Sequence, residues 1–452
     1  MNEPRTTSER WTFFRQSGWM MLTSTTCGIF MFAVHIFSVK MPSAEYGLFG
    51  ALLQIGVLLM IPALGLQTVL TQQMAGATSE QKIRILRGTA RALLMWTFMI
   101  WLGVVLLAVC LRVEIIAILK IANPAALWVT VAFALPQLWL PIMQGLLQGS
   151  QNFLWLGWAT LINGLGRFLA VAVIVVFLGG LAAGAVTGAL IGLVLACGLA
   201  AWHSRELWMG PSLPFDWRSW LGRILPLTFG LGASHFLLSI DMIVVRSLFE
   251  ESRTGYYAGA SMMGRGIVMF TAPLVWVMFP KIVRSVVRDE KTGVLAQALG
   301  ATALLGVVLA SLLSIAALIV PYGIGLLEAN SLPVSAGLRA SILDKSAALL
   351  VVASLIPWFV WCMLPLALAN VLINNLLARE RYGAVPYLMI VAAGYAAALS
   401  HFNGSFVNVI QVMGLFSLLM LGVAAGFTWL DQTGVPARRC PAGTGLDSRG
   451  AP

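Results

Sequence analysis

The residues of this chain that could do chemistry are polar side chains placed inside long apolar stretches. Two arginines, one aspartate, two histidines and two glutamines have this placement: Arg167, Arg265, Asp241, His35, His235, Gln54 and Gln144. An ionisable side chain in an apolar medium costs several kcal/mol unless it faces water or a partner charge. These residues therefore predict either an internal cavity that receives a polar ligand or buried pairs between helices.

No catalytic or metal-binding motif accompanies these residues. The sequence has no phosphate-binding P-loop, no zinc signature and no Gly-x-Ser-x-Gly elbow. The cysteines have neither metal-ligand nor redox spacing. Because the polar segments between the apolar stretches are also too short to house a soluble active site, we predict a protein that is not an enzyme and that uses no metal and no cofactor.

The composition predicts that this chain lies in a membrane. Of its 452 residues, 59% are hydrophobic and 10% are charged, whereas soluble domains average about 25% charged residues. Lipid is the environment that such a surface requires. The formal net charge of +11 would also fit a nucleic-acid-binding protein. The basic residues lie in short loops between apolar stretches, however, so we predict the bilayer as a partner and no nucleic acid.

Twelve apolar stretches approach or reach the length that crosses a bilayer, which is about 20 residues of helix. They are Gly18–Val39, Gly47–Leu70, Ala92–Leu111, Ala125–Leu147, Trp158–Leu178, Leu181–Trp202, Leu225–Val245, Gly255–Pro280, Ala298–Val320, Ala347–Leu372, Ala384–Ser400 and Ser405–Leu430. The eleventh stretch is short, so eleven or thirteen spans are the alternatives. The predicted fold is an all-α integral membrane protein of about 12 transmembrane helices.

The distribution of lysine and arginine predicts the orientation of these spans. If the N-terminus is cytoplasmic, the internal segments hold 19 Lys and Arg residues and the external segments hold seven. Basic residues concentrate in the cytoplasmic loops of membrane proteins. We therefore predict that both termini are cytoplasmic.

The two halves of the sequence resemble each other at a shift of 208 residues, under which Gly47 meets Gly255 and Gly56 meets Gly264. Six spans in each half give both halves the same orientation, related by an axis along the membrane normal, and a transported ligand then sits between them. The predicted organisation is a cytoplasmic N-terminus at 1–17, a six-helix half at 18–202, a cytoplasmic linker at 203–224, a second six-helix half at 225–430 and a disordered cytoplasmic tail at 431–452.

The seventh and eighth spans carry charges of opposite sign. A short external loop joins the two spans, so we predict that they are antiparallel neighbours. Counted from that loop, Asp241 and Arg265 differ in depth by about 6 Å at 1.5 Å per residue, which an arginine side chain can reach. A pair of this kind has three possible roles: it is part of a site for an anionic substrate, it is an ion-linked switch, or it is a static bridge between helices.

The other polar residues in the spans leave different alternatives. Arg167 has no acidic residue in the neighbouring spans, which indicates a cavity that receives negative charge. His35 and His235 could instead bond to a nearby backbone carbonyl. Gln54 and Gln144 could line the cavity or bridge two helices.

Short motifs occur in a fixed order along most of the chain. They are SAEYGLF (Ser43–Phe49), GLQTVLTQQMA (Gly65–Ala75), QGLLQGSQNF (Gln144–Phe153), GGLAAGAVTG (Gly179–Gly188), SIDMIVV (Ser239–Val245), GYYAGA (Gly255–Ala260), MFPKI (Met278–Ile282) and NNLLARERY (Asn374–Tyr382). In this order they resemble the bacterial polysaccharide repeat-unit flippases of the multidrug/oligosaccharidyl-lipid/polysaccharide (MOP) exporter superfamily. The sequence departs from that family at Arg246, Glu250 and Glu251, where small residues are usual.

This resemblance implies a V-shaped bundle that turns an undecaprenyl-diphosphate-linked oligosaccharide from the inner to the outer leaflet of the cell inner membrane by alternating access. The implied partners are this lipid-linked substrate, the bilayer, a polysaccharide polymerase and glycosyltransferases. The residues expected to bind substrate are Arg167, Arg265, Gln54 and Gln144, and those expected to couple or gate transport are Asp241, His235 and His35.

Three alternatives to this function remain open. A cation-coupled drug or metabolite antiporter of the same superfamily would carry an acidic residue in its first span, and Gly18–Val39 has none. A peptidoglycan-precursor flippase usually has fourteen spans. A non-transporting scaffold of a polysaccharide-synthesis complex would not need Arg167 and Arg265.

Overall fold

The computed structural model is an α-helical bundle that describes residues 7–75, 77, 79–214, 217–288, 294–329 and 335–432. No β-strand occurs in these segments. The predicted N-terminal segment 1–17 is described only from residue 7, where the first helix begins. The predicted disordered tail lies outside the described residues from residue 433 onward.

Fifteen α-helices follow one another in these segments. They are α1 (Thr7–Ala33), α2 (Ser43–Ala75), α3 (Glu80–Cys110), α4 (Arg112–Ile118), α5 (Ala125–Gly149), α6 (Phe153–Ala172), α7 (Ala182–His203), α8 (Arg205–Trp208), α9 (Trp217–Leu248), α10 (Glu251–Arg288), α11 (Val294–Glu328), α12 (Ala336–Asp344), α13 (Ser346–Ala378), α14 (Val385–His401) and α15 (Phe406–Gln432). A 3₁₀ segment, Val34–Lys40, extends α1, and a π-helical segment, Val173–Phe177, extends α6.

Eleven helical segments of the described chain are long and apolar enough to cross a membrane, and each coincides with a predicted span. The remaining predicted span, Gly255–Pro280, lies within the continuous helix α10. The described part of α10 contains Arg265 as well as polar Thr254 and Ser261, and these residues lower its hydropathy. The prediction of an all-α membrane protein is therefore confirmed.

Several helices extend beyond the predicted spans; α3, for example, begins at Glu80, ahead of the predicted Ala92. Helix α9 begins at Trp217, ahead of the predicted Leu225, and α8 forms a further turn inside the predicted linker 203–224. Helix α11 continues past Val320 and through Pro321 to Glu328. Hydropathy locates the lipid-facing part of a helix, so polar turns that extend a helix into the interface leave no hydrophobic signal.

The same helix pairs pack together in both halves of the bundle. In the first half α6 packs on α1 and α7, and α5 packs on α2, α3 and α7. In the second half α14 packs on α9 and α15, and α13 packs on α10, α11 and α15. Helices α1, α2, α3, α5, α6 and α7 correspond in chain order to α9, α10, α11, α13, α14 and α15, and each packed pair of the first half has its counterpart in the second. The packing therefore contains the repeat that the 208-residue shift predicts.

Two lines of helix contact, which we call seams, join the halves, and they differ in how closely the helices pack. Helix α2 packs along α9 and crosses α10, whereas its symmetry counterpart, the seam between α1 and α10, is short. A methyl group added at Gly50 would lie 3.3 Å from the Met242 side chain, and one at Gly65 would lie 2.5 Å from the Thr228 hydroxyl. The α2–α9 seam is thus closely packed at both glycines, while the α1–α10 seam has fewer contacts among the described residues.

Small residues also fix the position of α6 against α7. A methyl group added at Gly192 would collide with the backbone of Arg167 and lie 2.9 Å from the Asn163 carbonyl. One added at Gly188 would lie 2.6 Å from the Val171 nitrogen. Since lipid provides no hydrophobic force between helices, close packing through small residues is what holds them together. This contact also sets where Arg167 lies in the bundle.

We expect Gly192→Ala to lower the thermal unfolding temperature of the protein purified in detergent. Overpacking of a filled interface typically costs about 1–3 kcal/mol. Gly198→Ala on the same helix is the matched control, because a methyl group there meets nothing within 4 Å. Equal unfolding temperatures for the two variants would contradict the close α6–α7 contact.

Candidate functional site

A buried charged cluster joins α9 and α10 in the second half. The Asp241 carboxylate is 0% exposed; its Oδ1 accepts a hydrogen bond from Arg265 Nη2 at 2.7 Å, and its Oδ2 accepts one from the Tyr257 hydroxyl at 2.8 Å. Arg265 Nε donates to the Leu238 carbonyl at 2.9 Å, and its Nη1 donates to the Ser261 hydroxyl. The pair predicted from the depths of Asp241 and Arg265 is confirmed.

This cluster satisfies both of its charged members. Each nitrogen of the Arg265 guanidinium has an acceptor, and both oxygens of Asp241 have a donor. The cluster is therefore electrically neutral and bonded within one half of the bundle. Removing one partner of such a buried pair typically costs about 3–5 kcal/mol, because the other charge is left without compensation.

Arg167 in the first half has a different environment. Its guanidinium lies over the Phe133 ring of α5, with 5.7 Å between Cζ and the ring centroid. No carboxylate of the described chain lies within ion-pair distance of it. Its buried Nε donor has no acceptor among the described residues. Asn163 lies one turn earlier on α6, and its buried Oδ1 has no donor among the described residues. Arg167 and Asn163 thus offer a donor and an acceptor on the same side of one helix.

His35 lies on the 3₁₀ segment that extends α1, and α1 packs on α6 and on α10, the helices that carry Arg167 and Arg265. The Phe37 ring centroid is 5.3 Å from that of Phe168, and Phe32 lies beside Gly266. The Nδ1 of His35 is 2.9 Å from the Tyr46 hydroxyl, and its ring centroid is 5.8 Å from that of Phe49. The structure therefore places His35, Arg167, Arg265 and Asp241, four of the seven residues singled out in the sequence, on helices that are neighbours in the bundle.

The other three predicted residues are not part of this group. His235 Nδ1 is 2.9 Å from the Leu231 carbonyl one turn back in α9, which is the backbone contact that the sequence left open. Gln144 lies five residues from the end of α5, and Arg167 lies 14 residues into α6, so their depths differ by about 13 Å at 1.5 Å per residue. Gln54 is half-buried on α2 and forms no hydrogen bond with the described residues. Binding or gating roles for all seven residues stay predictions.

The structure also reveals residues that sequence reasoning missed. Tyr46 and Tyr257 contact His35 and Asp241, but tyrosines near span ends are so common in membrane proteins that they carried no signal. Arg246 was counted with an external segment, and it is 2% exposed in the last turn of α9. Its departure from the small residue usual in the resembling family was the signal that could have found it.

A cleft separates the halves at the end of the bundle where α2 and α13 finish. It has a volume of about 380 Å³ and is lined by Val69 and Gln72 of α2, by Leu227 of α9 and by Leu377 of α13, with Glu380 and Tyr382 beyond. The charge distribution predicts that this end is cytoplasmic. In the part of the chain that the structure describes, no three His, Cys, Asp or Glu side chains are grouped as metal ligands.

The comparisons with known proteins agree with this geometry. A family model described as "Polysaccharide biosynthesis protein" matches residues 16–286, which is more than half of the chain. A search of curated proteins finds no match.

Solved structures of membrane transporters share the fold. The lipid II flippase MurJ in its inward-closed conformation superposes with a TM-score of 0.66 at 12% identity, over 91% of this chain and 87% of its own. An inward-facing MATE family multidrug resistance transporter of the MOP superfamily has a TM-score of 0.64 at 12% identity, over 93% of this chain and 100% of its own. A MOP superfamily transporter from Pyrococcus furiosus has a TM-score of 0.61 at 14% identity, over 93% and 94%.

At 12–14% identity these structures establish the fold alone. The family match rests on sequence and covers most of the first half and the beginning of the second. The chain therefore belongs to the polysaccharide biosynthesis protein family and has the fold of MOP superfamily transporters.

Proposed function

We propose that this protein moves a diphosphate-linked lipid oligosaccharide from the cytoplasmic to the outer leaflet of the cell inner membrane, by alternating access of its two halves. The observation that carries the proposal is Arg167, a guanidinium inside the bundle that has no carboxylate partner in the described chain. An unpaired cation at membrane depth is costly unless a ligand supplies the opposite charge.

A diphosphate suits this cation because a guanidinium donates two parallel hydrogen bonds to phosphate oxygens. The Phe133 ring centroid is 5.7 Å from Arg167 Cζ, within the range of a cation–π attraction that would help to hold the guanidinium in place. Asn163 Oδ1, which has no donor among the described residues, lies one turn away and can accept from a sugar hydroxyl. One helix face would then bind both the diphosphate and the first sugar.

The second half would contribute through the Asp241–Arg265 cluster. In the present conformation Asp241 neutralises Arg265. Protonation of Asp241 would release that neutralisation and add a positive charge to the interior of the second half. His35 lies on the extension of α1, which packs on the helices that carry Arg167 and Arg265, so such a change would alter the electric field at its ring. We therefore assign Asp241 a coupling role and the arginines a substrate-binding role.

The lipid tail of such a substrate needs a route within the plane of the membrane. The α2–α9 seam is closed by close glycine contacts such as Gly65 against Thr228. The α1–α10 seam has sparse contacts, among them Phe32, whose ring would lie 3.9 Å from a methyl group at Gly266. This asymmetry supports passage of the tail between α1 and α10.

The charge inside the bundle favours this substrate over a cationic drug. The one carboxylate in the group around His35 is Asp241, and it is already paired with Arg265. A cationic ligand would meet Arg167 without a compensating anion, which costs free energy. A scaffold without transport activity would make no use of this arginine.

We expect Arg167→Ala to reduce transport at least tenfold, because a hydrogen bond to a charged group contributes about 1.5–3 kcal/mol. Arg167→Lys should retain part of the activity, since it keeps the charge and loses the fork geometry. The measurement is surface polysaccharide in a strain that lacks its own flippase, together with binding of lipid-diphosphate sugar and of a cationic drug to the purified protein.

Leu169→Ala on the same helix is the control, because Leu169 is 53% exposed toward the surrounding medium. Full activity of Arg167→Ala at normal protein level would refute the cationic cavity. Tighter binding of the cationic drug than of the lipid-diphosphate sugar would support the antiporter.

The double variant Asp241→Asn/Arg265→Gln separates coupling from a static bridge. Each single change should destabilise the protein by about 3–5 kcal/mol, because it leaves a buried charge unpaired. The double change removes both charges and should restore most of the thermal stability, while transport stays below a tenth of the parent level. Parental transport by the stable double variant would show that the pair is only structural.

A further inference from the structure

Arg246 crosses from the second half of the bundle to the first. It lies in the last turn of α9 and is 2% exposed. Its Nε donates to the Leu119 carbonyl at 2.8 Å, its Nη2 donates to the Lys120 carbonyl at 2.7 Å, and its Nη1 donates to the Ala44 carbonyl at 3.0 Å. All three acceptors belong to the first half, so one guanidinium binds the two halves together.

Lys120 makes the reciprocal contact. Its Nζ donates to the Phe249 carbonyl of the second half at 2.6 Å. Its backbone is left-handed, with φ 50°, an uncommon conformation for a residue other than glycine. In this conformation its carbonyl binds Arg246 while its ammonium binds the residue following α9. Two cations therefore cross the boundary between the halves in opposite directions.

The backbones of the halves also touch at this end. Gly47 and Gly255, which correspond in the 208-residue repeat, lie against each other: a methyl group at Gly47 would lie 2.9 Å from the Gly255 nitrogen. Thr254 beside them accepts a hydrogen bond from Arg246 Nη1 at 3.2 Å. The contact is at the ends where α2 and α10 begin, opposite the cleft lined by Gln72 and Leu377.

We propose that Arg246 is the latch that keeps this end of the bundle closed and that it must release its first-half carbonyls in every transport cycle. The distribution of Lys and Arg predicts that this end is the outer one. The inference rests on the alternating access of the proposed function, but it concerns the opening of the protein and is independent of which substrate is carried.

Glu251 is the residue that can pair with Arg246 when the latch is open. Its Oε2 is 3.8 Å from Arg246 Nη2, and its side chain is 47% exposed. Because Arg246 and Glu251 both belong to the second half, their ion pair can persist when the halves separate. The guanidinium then exchanges carbonyls of the first half for a carboxylate of its own half and is never left without a partner. A hydrogen bond from a charged donor is strong, so the exchange lowers the cost of opening.

Cysteine labelling tests the latch without any substrate. Ala258 is 5% exposed and lies at the α2–α10 contact, where a methyl group at Gly50 would lie 3.2 Å from its Cβ. In a variant whose five native cysteines are replaced by alanine, Ala258→Cys reports the opening through its rate of reaction with a maleimide on the purified protein. Adding Arg246→Gln should raise that rate about tenfold.

Arg253→Gln is the matched control, since Arg253 is exposed in the first turn of α10. It should leave the labelling rate unchanged. Thermal unfolding and elution volume must match the parent for each variant, and Arg246→Lys, which keeps the charge but loses the fork, replaces Arg246→Gln if the latter does not fold. An unchanged labelling rate in the folded Arg246 variant would overturn the latch.

A cross-link gives a second and independent measurement. Oxidation of the Gly50→Cys/Ala258→Cys pair should hold this end closed, abolish polysaccharide export in cells and be reversed by a reductant. Undiminished export by the cross-linked protein would show that this end does not open during transport. If the parent protein exports no polysaccharide at all, the proposed substrate fails, while the labelling result still decides the latch.

Discussion

Keeping a charged side chain inside a lipid bilayer is the constraint on which this structure depends. Three arginines meet it in three different ways. Arg265 is neutralised by Asp241 within one half. Arg246 is satisfied by backbone carbonyls of the opposite half. Arg167 rests on an aromatic ring and has no carboxylate partner in the described chain. The partner of each charge decides how that charge affects movement of the halves. A charge that is satisfied within one half is compatible with the movement, whereas a charge that is satisfied by the other half opposes it.

The two halves share a scaffold, but the compensation of their buried charges differs. Corresponding helices pack in the same pairs, and Gly47 and Gly255 meet close to the axis that relates them. The charged residues do not follow this symmetry: Arg167 lies on α6, whereas Arg265 lies on α10, the counterpart of α2. The common scaffold therefore supplies two similarly packed halves. Unrelated side chains give the second half a neutral cluster and the first an arginine without a carboxylate partner in the described chain.

Close packing through glycine holds these side chains in place. Gly192 allows α7 to contact the backbone at Arg167, and Gly65 allows α2 to contact α9. Because lipid surrounds the bundle, such contacts replace the hydrophobic force that holds a soluble core together. The seam between α1 and α10 has fewer such contacts among the described residues, and it is the route that we propose for the lipid tail.

The sequence by itself determined the membrane class, the positions of the spans and the internal repeat, because hydropathy and loop charge are properties of consecutive residues. It also predicted the Asp241–Arg265 pair, since both residues lie near one short loop and helix rise fixes their depths. Only the tertiary structure decided what is distant in the chain: that α1, which leads to His35, packs on helices that carry arginines from both halves, and that Gln144 lies well away from Arg167 in depth. It likewise turned Arg246 from an external charge into a buried contact with Ala44, Leu119 and Lys120. The physical reason is that carbonyl acceptors occur at every position of the chain, so no sequence pattern marks the few that the fold places around a guanidinium.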